Sequence, residues 1–181
     1  VSECSESITY VRTKLISTKH YKRLGEVVEA STTEFLAQSQ RLYNSPPIGT
    51  LVKSEINDAV YGIVAEVVTA SMDPGRRAMA MGENEDTAEK VYQRHPQLNR
   101  LLSTEFRCIT VGFQKDADLF RYLAPIPPKI HSSVYECTRD ELFQFSQSLE
   151  FLPILLTSSV GSQDGVIASF LLSASECNPN S

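Results

Sequence analysis

The sequence holds no apolar run approaching the ~18 residues that a membrane-spanning helix needs. Its longest candidates, Phe151–Leu156 and Val166–Leu172, are too short. It also lacks a phosphate-cradling loop of the Gly-x-x-x-x-Gly-Lys-Ser/Thr kind, because no glycine is followed by lysine. The nearest glycine-rich piece, Gly161-Ser162-Gln163-Asp164-Gly165, has the wrong spacing and an aspartate that would repel phosphate. There is no Gly-x-Ser-x-Gly elbow and no cysteine in a catalytic signature, so nucleophilic catalysis has no recognisable start. His20, His95 and His131 are scattered, and none has a ligand-type partner three or four residues on. No two of Cys4, Cys108, Cys137 and Cys177 are spaced for a metal knuckle or a redox pair. Cys108 sits in an apolar strand pattern and reads as a small core hydrophobe. No catalytic, cofactor or metal residue is expected, and a reducing compartment is the default.

What is present begins with charge. The net charge of −5 is uneven: residues 1–23 carry five Lys/Arg against two Glu, and residues 24–71 two basic against six acidic. Residues 72–123 balance at eight against eight, and 124–181 return to two against six. An acidic body disfavours direct contact with phosphate backbones, which calls for clustered Lys and Arg. The basic arm Arg12, Lys14, Lys19, Lys22 and Arg23 reads as a solvated terminus. A chain opening on Val1 reads as processed or trimmed, with any targeting segment removed. At 181 residues it is long enough for one domain with a real core.

Strand patterns dominate the first two thirds. Gly25 opens a strand, and Glu34–Leu42 extends with Phe35, Ala37 and Ser39 on one side. Tyr43-Asn44-Ser45-Pro46-Pro47 is turn chemistry, followed by a strand over Ile48–Ser54. Asn57-Asp58 marks a hairpin into Val60–Ser71, the best strand in the chain. Both faces of that strand are largely apolar, which predicts cover on both sides, and Gly62 predicts a bend or bulge. Asp73-Pro74-Gly75-Arg76 fits a type II turn. Glu83–Arg94 is expected to be helical with Glu85 and Asp86 in its first turn, and Gln97–Leu102 to form a second short helix. Asp86 and Lys90 have ion-pair spacing. Residues 72–102 thus interrupt two strands, the second being Glu105–Phe113.

Pro125-Ile126-Pro127-Pro128 is a stiff connector that ends the strand region. Thr138-Arg139-Asp140-Glu141 is a capping box for a helix bearing Leu142, Phe145 and Leu149, which Pro153 stops. A further helix covers Asp164–Glu176, with Val166, Ile167, Phe170, Leu171 and Ala174 on one side. The tail Asn178–Ser181 should fray.

The ordered set Gly25-Glu26-Val27-Val28, Phe35, Pro47-Ile48-Gly49-Thr50-Leu51-Val52 and Tyr61-Gly62-Ile63-Val64 resembles the HAS barrel, shared by HerA-type ATPases and the hexamer subunits of rotary ATP synthases. The likeness covers roughly residues 24–113 and is greatest to stand-alone HAS-barrel proteins of cyanobacteria and chloroplasts. It implies a mainly β fold with α additions: a small closed six-stranded, Greek-key-like barrel, with no catalytic centre of its own, plus a C-terminal helical extension. The implied divisions are an arm at 1–23, a barrel at 24–123 with its insertion at 72–102, and connector plus helices at 124–181. No phosphate loop of the kind their motor domain carries stands in these 181 residues, so the resemblance does not carry ATP hydrolysis over.

The resemblance implies a non-enzymatic module for protein–protein interaction or complex assembly, with a protein partner or self-association. It further implies a soluble protein of the chloroplast stroma or cytoplasm. The alternative is an accessory of DNA processing that contacts a HerA-like ATPase or a nuclease. The insertion is where partner contact is expected, through Arg76, Arg77, Tyr92, Arg94 and Leu98. Insertions in small domains are more often functional than idle. The competing expectation is that the insertion packs back on the barrel as a lid, and that Arg76-Arg77 is a plain surface turn.

Overall fold

The structure is a computed structural model that describes residues 21–73, 75–81, 86–116 and 118–177. The expected apolar patch Ile8–Leu15 and the tail 178–181 lie outside the described residues. The fold is mixed α and β: a seven-stranded antiparallel sheet with helices packed on it. Its strands are β1 (Arg23–Ala30), β2 (Glu34–Ser39), β3 (Leu51–Ser54), β4 (Val60–Ser71), β5 (Leu102–Lys115), β6 (Asp118–Phe120) and β7 (Ser133–Glu136). They lie in the order β2-β1-β7-β3-β4-β5-β6, and β2 also pairs with β5, from Glu34↔Ile109 to Gln38↔Glu105.

Two cores lie on opposite sides of the long strands. One draws on six strands: Leu24 and Val27, Phe35 and Ala37, Val52, Val64, Phe106 and Cys108, and Val134. The other sits between the sheet and the C-terminal helices α3 (Arg139–Ser146), α4 (Leu152–Thr157) and α5 (Gln163–Glu176). There Tyr61, Phe145, Phe151 and Phe170 follow one another at ring-centroid distances of 5.5, 5.1 and 5.2 Å. Each buried aromatic stabilises the fold by roughly 1.5–3 kcal/mol relative to exposure. Val64 faces the first core and Ile63 the second, which accounts for the two apolar faces of β4.

That double cover stops halfway. Val60–Ala65 are buried, but Glu66–Val68 are exposed, so the expectation of two covered faces holds only for the first half of β4. β3 reaches no further along β4 than the pair Leu51↔Ile63, apart from backbone bonds joining Gly49 and Thr50 to Val64. Irregular register falls at Tyr61/Gly62, as the glycine foretold, and again at Val64/Glu66, where the strand leaves the covered region.

Several boundaries differ from the sequence reading. The strand set does not end at the proline connector: β7 follows it and sits between β1 and β3. β6, a three-residue addition to the edge of β5, was not foreseen. β3 starts at Leu51 rather than Ile48, because Thr50 N–H closes a turn on the Pro47 carbonyl and Gly49 takes φ of 82° against α5. At the expected turn, Asp73 accepts from Arg76 N–H through its carbonyl, the bond that closes a turn over 73–76, and from Gly75 N–H through Oδ1.

The first insertion helix, α1, is only Ala88–Arg94, capped by Thr87 with Glu89 in its first turn; Glu83–Glu85 lie outside the described residues. The second, α2, is Leu98–Leu101. Thr138 and Glu141 form the capping box of α3 as expected, and Phe145 is its buried residue. That helix ends before Leu149, which is exposed, and Pro153 opens α4 rather than stopping α3.

Candidate partner-binding site

Past the bulge at Val64/Glu66, β4 and β5 run on as a two-stranded arm, paired from Glu66↔Arg107 to Ser71↔Leu102. Near its end, Thr69 and Thr104 share a hydroxyl hydrogen bond of 2.8 Å, and Thr104 Oγ1 accepts from Tyr43 N–H. Tyr43 in turn meets Tyr92 of α1 edge-on at 6.0 Å, and their hydroxyls are hydrogen-bonded. Burial first, then the Tyr43 hydrogen bond, push the Tyr92 phenol up to about 12. At the tip, Met72 N–H donates to the Leu101 carbonyl and ties the strand end to α2. Neither α1 nor α2 contains a buried residue, so these helices ride on the arm and do not cover the core as a lid.

The tip encloses an open cleft of about 640 Å³. Met72, Met79, Met81, Leu98, Leu101 and Leu102 supply its apolar wall, and Arg76, Arg77 and Arg100 line it with positive charge. These are all three methionines of the chain, and all are exposed, Met79 to 83%. Among the described residues Asp73 is the one acidic member of the lining; its Oδ2 lies 3.7 Å from Arg76 Nε. A single exposed apolar side chain is ordinary, but a contiguous exposed apolar wall marks a surface of contact. The flexible thioether of methionine suits surfaces that adapt to a partner.

Three of the five residues expected to make contact, Arg76, Arg77 and Leu98, come together in this cleft. Tyr92 and Arg94 do not line it; Tyr92 braces α1 against Tyr43, and Arg94 occupies the last turn of α1. The expected Asp86–Lys90 ion pair forms at 3.3 Å on the solvated side. Sequence reading missed the methionines, although three within ten residues of a chain that has no others was a legible signal. It also missed Leu101 and Arg100.

A second constellation lies under α3. Lys53, 2% exposed, donates to Glu141 Oε1 at 2.8 Å, and Tyr21 hydroxyl donates to the same oxygen at 3.0 Å. The Lys53 ammonium also sits 4.0 Å from the centre of the Tyr21 ring. Glu141 meanwhile accepts from Thr138 N–H, closing the capping box. Burial works to lower the Lys53 pKa, but the hydrogen bond and charge of Glu141 outweigh it and the value is raised. Burial likewise works to raise Glu141, but Lys53 and the Thr138 N–H hold it below its ordinary value. Both groups are therefore charged at neutral pH. Burial pushes the nearby Cys137 thiol and Tyr61 phenol up, so both stay protonated. This arrangement clamps a helix to a strand, and each member is satisfied by another.

Among the described residues no three His, Cys, Asp or Glu side chains come together as a cation site, and no helix is long and apolar enough to cross a membrane. No protein-family model matches the chain, and comparison with curated proteins found no match.

Proposed function

We propose that this chain is a non-enzymatic HAS-type barrel module that docks a protein partner through the tip of the β4–β5 arm. The pairing of β2 with β5 supports closure: the six strands β1, β2, β5, β4, β3 and β7 then form a continuous ring of neighbours, with β6 as an addition. A core fed by all six of those strands supports the same reading. The resemblance read from the sequence places such a module in chloroplast stroma or cytoplasm.

The observation that carries the docking role is the exposed apolar cleft itself, which holds every methionine of the chain on an arm that neither core requires. Contiguous exposed apolar surface with a polar rim is characteristic of interaction sites. The arm geometry supplies a clean test. Ser71 and Leu102 are paired directly, so an Asn-Gly turn in place of Met72–Leu101 keeps the hairpin register. The unaltered 181-residue chain and the shortened one would be used as bait in native extract, with circular dichroism as the control for folding. The expected result is a folded shortened chain that loses its specific partners. A folded shortened chain that retains every partner overturns the assignment of contact to the arm.

A further inference from the structure

We infer that the arm-tip cleft takes an acidic polypeptide segment carrying bulky apolar side chains; this rests on the reading of the arm as a contact surface. The charge of the cleft runs against that of the molecule. The chain is −5 overall, yet the cleft is lined by three arginines and one aspartate. Asp73 is engaged with Arg76. Arg77 and Arg100 have no ion-pair partner among the described residues. Two uncompensated guanidinium groups beside an apolar wall ask for carboxylates beside apolar anchors, and arginine binds carboxylate in a bidentate fork. Electrostatic complementarity of this kind sets specificity and steers encounter.

The wall favours a peptide over a polynucleotide. Single-stranded nucleic acid is held by aromatic platforms on which bases stack, and among the described residues the apolar wall of this cleft is methionine and leucine with no aromatic side chain. An acidic body would repel an extended polyanion that ran past the tip, but tolerates a short segment whose charge ends there. Methionine walls also accept leucine, phenylalanine and methionine anchors with little penalty for shape. The occupant is thus selected by charge more strongly than by the outline of its apolar residues.

Fluorescence anisotropy with the full chain tests this. The probes are a short labelled peptide in which Glu alternates with Leu and Phe, its Lys-for-Glu counterpart, and a single-stranded oligonucleotide. The acidic peptide is expected to bind, to weaken with added salt, and to lose about tenfold or more in affinity to Arg77→Glu/Arg100→Glu. That double variant should then prefer the Lys peptide. Met79→Asp should weaken the acidic peptide as well; it alters a side chain in open solvent, so the fold is not at risk.

Equal or tighter binding of the Lys peptide to the unaltered chain overturns the acidic assignment. If that binding changes with Met79→Asp in either direction, the arm stays a contact surface and only its partner chemistry is wrong. Oligonucleotide binding that outcompetes the acidic peptide, or self-association that Arg77→Glu/Arg100→Glu abolishes, also overturns the inference by naming another occupant. Binding of no probe overturns it too, while the arm-replacement experiment decides separately whether the tip makes contact.

Discussion

Lys53 of β3 and Glu141 of α3 stand 88 residues apart in sequence and meet at 2.8 Å, joining the sheet to its helical cover. Removing one member of a buried pair leaves the other charge without its partner, which costs on the order of 3 kcal/mol. Lys53→Met is expected to lose that much stability in chemical denaturation. Glu141→Gln keeps an acceptor for the Thr138 N–H and isolates the loss of charge. The double variant should be more stable than the sum of single losses predicts, because neither charge is then stranded. Strictly additive losses would show that the two groups are not coupled.

The same pair fixes a pH dependence. Glu141 is held below its ordinary 4.5 in the folded chain. It therefore contributes stability that is fully present above that value and is lost as pH falls through the lower folded one. Lys53 is raised above its ordinary 10.5, so its contribution is present below that value and lost as pH rises through the folded one. The stability margin of the unaltered chain over Glu141→Gln should be flat at neutral pH and shrink in acid below 4.5. A margin that grows in acid would contradict the pairing.

Ile63 and Val64 point into different cores, and each is fully buried. Ile63→Ala and Val64→Ala should each cost on the order of 1–4 kcal/mol through lost burial and a residual cavity. Both should shift the denaturation midpoint without changing its slope. Val68→Ala, on the exposed part of the same strand, should change stability by no more than about 0.5 kcal/mol. If all three variants behave alike, the division of β4 into covered and uncovered halves is wrong.

Gly161 has φ of 66°, and a Cβ built there would meet the Ala65 carbonyl oxygen of β4. Gly161→Ala should lose on the order of 1–3 kcal/mol from backbone strain alone, with steric displacement of the loop before α5 added to it. Thermal melts of this variant and of Gly165→Ala separate the two glycines, since position 165 has only ordinary contacts with Ser162 nearby. Equal melting temperatures would mean that the loop relaxes freely.

No sustained ATP turnover is expected from the purified chain. The glycine-rich piece that comes nearest to a phosphate loop presses its first glycine onto the sheet backbone. Turnover that is proportional to protein and survives every purification step would refute this.

Much of the local structure was legible because its cause is local. Val60–Ser71 carries its own β pattern and matches β4 at both ends. Thr138 and Glu141 lie within one turn of each other, and the apolar periodicity of the last helix placed it to within one residue. The insertion at 72–102 is legible as an interruption between strands because turn and helix signals break the alternation there.

What the tertiary structure decided is which of these patterns are covered. Val64 and Val68 are chemically the same residue on one strand. The first is buried because β3 and the rest of the sheet surround it, and the second is 47% exposed because only β5 continues beside it. β7 is four residues long, too short for any period to show, and exists because β1 and β3 offer it edges on both sides. Lys53 lies in a strand that the sequence marks by its pattern alone, and its burial comes from α3, whose Glu141 meets its ammonium. A sequence determines propensity within a turn or a strand. Burial is a property of neighbours, and here the neighbours come from distant parts of the chain.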